Sequence, residues 1–167
     1  MKYLLFFLGL GLLFSACQQD NTSSTSTPDG VDLKTALRGT WQTFQINVAV
    51  NTADGKDTFR TESLTQEVWE QSYGMEPPIY YFQADQKFRL VHRSVKGEII
   101  DQRRGIWNTF GDTLVLIEPE NTVQYLVRIG EGRATFRNFR DWDGDGAEDD
   151  EYQGLQRQIS ISTDEGE

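Results

Sequence analysis

The chain has 167 residues, with 16 lysines and arginines, 26 aspartates and glutamates, and one cysteine, Cys17. That length predicts a single domain, large enough to bury a core without disulfides, and a lone cysteine excludes an intramolecular one. The net charge of −10 excludes the cation-driven grip on phosphates that nucleic-acid binding requires and disfavours anionic lipid surfaces, while suiting solubility and divalent cations.

Met1-Lys2-Tyr3 supplies one positive charge, and Leu4 to Phe14 is apolar apart from Gly9 and Gly11. A bilayer-spanning helix takes about 20 residues. This run is shorter and has the length of a signal h-region. It ends in Phe14-Ser15-Ala16-Cys17. Small residues before a cysteine resemble the box read by the lipoprotein signal peptidase, with Phe14 where leucine is usual. Residues 1–16 are therefore expected to be an export signal and Cys17 the lipidated N-terminus. The alternative is an ordinary signal peptide with an incidental cysteine. An acyl chain contributes ~0.8 kcal/mol per buried methylene, so one palmitate-type chain holds marginally and several hold durably. Residues 17–32, rich in Ser, Thr, Asn and Gln, read as a polar tether. Gln18, not aspartate, follows the cysteine, which implies outer-membrane sorting in a Gram-negative envelope, the leaflet being open.

From Leu37 onward the pattern is strands. Trp41 to Val50 is β-branched and aromatic and runs into an Asp-Gly turn cluster. Glu62 to Tyr73, with Leu64, Val68 and Trp69 spaced among polar residues, predicts a short amphipathic helix with Ser63 as N-cap and Gly74 as stop. Seven more strands follow: Ile79–Phe82, Lys87–Arg93, Gly97–Asn108, Thr113–Ile117, Val123–Ile129, Arg133–Arg140 and Tyr152–Ile161. Eight strands with hairpin-length loops predict an all-β, antiparallel up-and-down barrel over residues 33–161, with one short helix. Residues 162–167 read as a disordered acidic tail.

Leu37-Arg38-Gly39-Thr40-Trp41 resembles the Gly-x-Trp signature of lipocalins. Gly105-Ile106-Trp107, followed by Gly111-Asp112-Thr113-Leu114-Val115-Leu116, is similar to the middle of bacterial lipocalin-like lipoproteins. The resemblance implies that Gly39 and Trp41 plug the closed end of the barrel. It also implies that Arg157, in the last strand, packs over Trp41 in a cation–π contact. Trp69 has two readings: packing of the helix on the barrel, or lining of a ligand mouth.

Asp141-Trp142-Asp143-Gly144-Asp145-Gly146-Ala147-Glu148-Asp149 carries aspartates at positions 1, 3 and 5 and glycine at 6, the front half of an EF-hand calcium loop. Alternate carboxylates turn toward one hard cation, Ala147 offers its carbonyl, and Asp149 stands at position 9. Tyr152 occupies the position of the usual bidentate glutamate, for which Asp150 or Glu151 would have to substitute, and the flanks are strands, so this is expected to be a structural Ca²⁺ staple of weak affinity. The other reading is an exposed acidic turn.

No catalytic constellation is present. The single histidine, His92, shares a strand face with Phe88 and Leu90, and no nucleophile elbow, zinc helix or phosphate loop occurs. Arg93, Lys96, Arg103 and Arg104 gather on one hairpin as an anion grip or a solvated face. The expected protein is a monomeric, membrane-anchored barrel holding a small ligand, apolar or of mixed polarity. Thr43, Gln45 and Asn47 lie in phase with Trp41 and argue for the mixed cavity. The alternative is a structural or protein-interaction lipoprotein with a solid barrel.

Overall fold

The computed structural model describes residues 32–56 and 58–162. The expected export signal, Cys17, all of the expected tether except Asp32, and the expected tail beyond Ser162 lie outside the described residues. Nine strand segments form one antiparallel sheet: β1 (Gly39–Val50), β2 (Arg60–Thr65), β3 (Ile79–Phe82), β4 (Lys87–Arg93), β5 (Ile99–Phe110), β6 (Thr113–Ile117), β7 (Thr122–Gly130), β8 (Arg133–Arg140) and β9 (Asp150–Ser160). The order is β2-β1-β3-β4-β5-β6-β7-β8-β9, and a β1–β9 pairing closes the sheet. β2 and β3 lie one after the other along the same edge of β1, against Gln45–Val50 and Gly39–Gln42 respectively. They are one stave interrupted by an excursion. The molecule is thus an eight-stave, up-and-down antiparallel barrel.

The excursion holds helix α2 (Gln66–Val68), continued as a wider π turn over Trp69–Tyr73. Gly74, with φ of 62°, ends it by donating to the Glu70 carbonyl, since a residue without Cβ takes the left-handed cap at no steric cost. The expected helix therefore begins four residues late. Glu62 and Ser63 lie in β2, and Ser63 caps nothing. Among the described strands β2 pairs with β1 alone, so its remaining exposure allows polar residues that read as a helix face.

β1 holds a bulge. Its register against β9 shifts between Thr43 and Gln45, leaving Phe44 as the extra residue. A bulge inverts the alternation of side chains downstream. Trp41 and Thr43 point inward before it, and Ile46, Val48 and Val50 after it are buried. Gln45 and Asn47 are consequently on the outer face, where they bond to each other and to Ser63. The expected inward row of Thr43, Gln45 and Asn47 reduces to Thr43 alone.

The two ends of the barrel differ. At the closed end the one-turn helix α1 (Leu33–Ala36), capped by Asp32, lies before β1. Leu37 is fully buried, and its carbonyl accepts a 2.8 Å hydrogen bond from Trp41 Nε1. Gly39 has φ of +119°, and a Cβ there would stand 2.5 Å from the Ser160 carbonyl oxygen. The Leu-x-Gly-x-Trp run is thus a stopper whose chain must pass tightly under the last strand. Above it Phe82, Trp107 and Phe136 pack edge to face, extended by Tyr80 and Tyr125. Each fully buried ring contributes on the order of 2–3 kcal/mol.

Gly105 marks a second close approach: a Cβ would lie 2.0 Å from the Ile117 carbonyl oxygen and 2.8 Å from the Phe88 ring. Overpacking of this kind costs roughly 1–3 kcal/mol, and more where backbone is the obstacle. Gly105→Ala is expected to lower stability by at least ~2 kcal/mol in urea unfolding. Gly130→Ala, where nothing lies within 4 Å, should stay within about 0.5 kcal/mol of wild type.

Candidate functional site

The loops at the open end carry most of the chemistry. The acidic loop, residues 141–149, joins β8 to β9 and is tied down across the opening. Trp142 packs against the core and donates from Nε1 to Glu62 Oε2 at 2.8 Å, which holds the Glu62 carboxyl below its ordinary range. Asp145 accepts from the backbone of Gly55, and Asp149 from the Thr52 hydroxyl. Within the loop, Asp141 accepts from Gly144 and Gly146, Asp143 from Asp145, and Asp145 from Ala147.

One ligand oxygen from each of Asp141, Asp143 and Asp150 lies within 4.8 Å of the others. The expected set was Asp141, Asp143, Asp145, Ala147 and Asp149. The fold brings together the first two of these and adds Asp150, while Asp145 and Asp149 face the β1–β2 connection. Asp150 is 1% exposed and accepts from the backbone N–H groups of Asn51 and Trp142. Of the two stand-ins for the missing glutamate, Asp150 and Glu151, the fold selects Asp150, because it begins β9 and takes the inward position of that strand. An all-oxygen carboxylate set suits a hard cation such as Ca²⁺.

At the closed end, Arg157 is not over Trp41. It is exposed on the outer face and donates twice to Gln42 Oε1, its register partner on β1. Strand alternation explains this correction, since Gln156 takes the inward position and is fully buried. Gln156 Oε1 accepts from Thr43, and its Nε2 has no acceptor among the described residues. Trp69 is half-buried, packs on the core and contacts Tyr73 at 5.4 Å between ring centres.

The basic hairpin does not act as one group. Arg104 points outward to Gln102, Arg93 reaches the Gly97 carbonyl, and Arg103 faces the opening with Glu118 at 3.4 Å. Lys96 lies in the turn, its backbone N–H on Ser94. Inside the open end stand the tyrosines Tyr80, Tyr125 and Tyr152. Burial pushes the hydroxyls of Tyr80 and Tyr152 well above their ordinary titration range. Arg140 lies over the Tyr152 ring at 3.7 Å and donates to the Tyr125 hydroxyl and to Asn138.

A cavity of about 550 Å³ opens beside this group. Its walls come from two strands that part company: β7 and β8 pair from Gly130–Arg133 only as far as Leu126–Arg137. Above that point Thr122–Tyr125 and Asn138–Arg140 line opposite sides, with Arg103, Asn121 and Glu148 at the rim. Sequence reading missed Arg140. Its signal was a charged residue in phase with buried Ala134 and Phe136 on β8.

No protein-family model matches the sequence, and no curated protein is significantly similar to it.

His92 is half-buried, opposite Asp101 on β5. Burial first, and then Arg103, lower its pKa from 6.5, with Asp101 opposing. The unfolded chain therefore takes up a proton at a higher pH than the fold does. This contribution to stability is complete above about pH 6.5 and is lost as pH falls from there through the lower pKa of the fold. Urea unfolding from about pH 7.5 down to about pH 5.5 should show wild type losing stability and His92→Gln losing less. Equal slopes would remove His92 from the account.

Proposed function

We propose that this protein is an envelope lipoprotein, exported and lipidated at Cys17, whose lipocalin-like barrel holds a small ligand without catalysing a reaction. The carrying observation is the difference between the ends of the barrel. One end is stoppered by Leu37 and Trp41. The other has a cavity of about 550 Å³ lined by Tyr125, Asn138 and Arg140, within the 300–1,000 Å³ span usual for small-molecule sites. The polar lining favours a ligand of mixed polarity over a plain fatty chain. The Gly-x-Trp resemblance and the closed eight-stave barrel support the lipocalin-like reading. The signal-like run and its terminal cysteine support a place at the outer membrane.

A second reading has its own observation. The lower barrel is filled by Trp41, Phe82, Trp107 and Phe136, each no more than 1% exposed. A solid barrel that meets a protein partner through its surface accounts for that filling. Native mass spectrometry of the protein purified from an expressing bacterial envelope, in detergent and millimolar calcium, separates the two. An adduct of a few hundred daltons, lost on activation, is expected. A bare chain transfers the assignment to the interaction role.

Ca²⁺ is proposed as a structural staple of the acidic loop, held through Asp141, Asp143 and Asp150, at the 10⁻⁴–10⁻³ M affinity (roughly) of extracellular modules. Millimolar calcium should raise the melting temperature of wild type. Asp143→Asn should abolish that rise while leaving the melting temperature in chelator nearly unchanged. A calcium shift that survives the substitution, or is absent in wild type, overturns the staple.

A further inference from the structure

We infer that the cavity between the upper halves of β7 and β8 is a carboxylate site, with Arg140 as the residue that receives the anion. This rests on the ligand-binding reading of the barrel and names the chemical class of the ligand.

Three observations lead there. First, the opening is built by the fold. β7 continues four residues and β8 three residues beyond their last shared pair, Leu126–Arg137, each held only by its other neighbour. Strands that run on unpaired leave a wedge with polar backbone edges on both sides.

Second, Arg140 is an inward-facing cation with neutral partners. Its Nε and Nη2 donate to Asn138 Oδ1, and Nη2 also to the Tyr125 hydroxyl. Among the described residues Nη1 has no acceptor and no carboxylate lies within ion-pair distance. The natural counter-ion would be Asp150, its register partner on β9. Asp150 instead gives its two oxygens to the N–H groups of Asn51 and Trp142. In a chain of net charge −10, a half-buried arginine left to neutral partners is held in place for something else.

Third, its orientation is fixed. The Tyr152 ring lies against the face of the guanidinium at 3.7 Å, so its N–H groups can work only in the guanidinium plane. In that plane Nη1 can donate to one oxygen of a carboxylate, while the Tyr125 hydroxyl, which accepts from Nη2, keeps its own hydrogen for the other. Arg103 stands at the rim, loosely held by Glu118 at 3.4 Å. Glu148, also at the rim, limits the positive field, which favours a monoanion over a doubly charged phosphate. Tyr125 and Val123 supply an apolar wall for the body of the ligand.

The test is a chemical-shift titration of the ¹⁵N-labelled protein, purified from the envelope in detergent. The probes are sodium benzoate, its neutral isostere benzamide, and sodium sulfate. Benzoate at millimolar concentration is expected to shift the Arg140 Nε signal and the amides of residues 121–125 and 138–140, saturably. Benzamide should do neither. Arg140→Gln should weaken benzoate at least tenfold, and Arg140→Lys by less. Arg157→Gln, on the outer face, should leave it unchanged. If Arg140→Gln fails to fold, the Arg140→Lys comparison and the benzoate–benzamide difference carry the decision. Equal effects of benzoate and benzamide, no saturable shift, or binding that survives Arg140→Gln each overturn the site. Sulfate competing as well as benzoate overturns the carboxylate class and leaves a bare anion point. A neutral adduct found by mass spectrometry, with no benzoate response, overturns this site and leaves the carrier reading intact.

Discussion

The barrel depends on one irregularity, the bulge at Phe44. Among the described strands β1 alone meets three others. It holds β3 and β2 in succession along one edge and β9 along the other. A regular strand of that length would send Ile46, Val48 and Val50 outward once Trp41 and Thr43 point inward. The bulge resets the phase, so both halves of β1 bury their apolar residues. It falls where β2 gives way to β3, at the level where Thr43 donates its N–H to the Pro78 carbonyl. Closure, the split stave and the stopper all rest on that reset.

From there the two ends diverge. The closed end is short of space: glycine is required at Gly39, and the Trp41 N–H is spent on the Leu37 carbonyl. The open end is rich in polar groups that hold one another. The acidic loop leans on β2 through Trp142 and Glu62, and Asp150 gathers two backbone donors beneath it. Asp150 thereby serves the loop and not Arg140, although the register sets the two opposite each other. The Asp150 carboxylate and the Arg140 guanidinium are thus kept apart by two backbone hydrogen bonds.

Much of the architecture was legible in the residues. The bounds of β3, β4, β6 and β8 follow directly from alternation and turn chemistry, and those of β1, β5, β7 and β9 differ by no more than two residues at either end. β2 was not legible, because Arg60-Thr61-Glu62-Ser63-Leu64-Thr65 has one buried apolar residue and one neighbouring strand. The bulge leaves only a faint trace in the residues: the apolar phase of β1 changes between Thr43 and Ile46. Side-chain direction misled at Arg157, where the right strand was named but the wrong face. Of the acidic loop, Asp141 and Asp143 were legible from spacing. Asp150 was legible only as one of two stand-ins, with Glu151, for the glutamate that Tyr152 displaces, since its approach depends on how the loop folds back onto β9. The cavity was not legible, because where β7 and β8 stop pairing is a property of the closed sheet.

Closure has a consequence for the order of events in folding. β1 is among the first parts of the barrel to leave the ribosome, and β9 is the last. Thr43 and Gln156, whose side chains meet in the interior, stand 113 positions apart. Contacts of such separation carry the full loop-closure cost and form late, which makes barrels of this kind slow folders. Until β9 arrives, one edge of β1 lies open along almost its whole length, a template for strands of another chain. This interval places the hazard of mispairing after β8 is complete and before β9 docks.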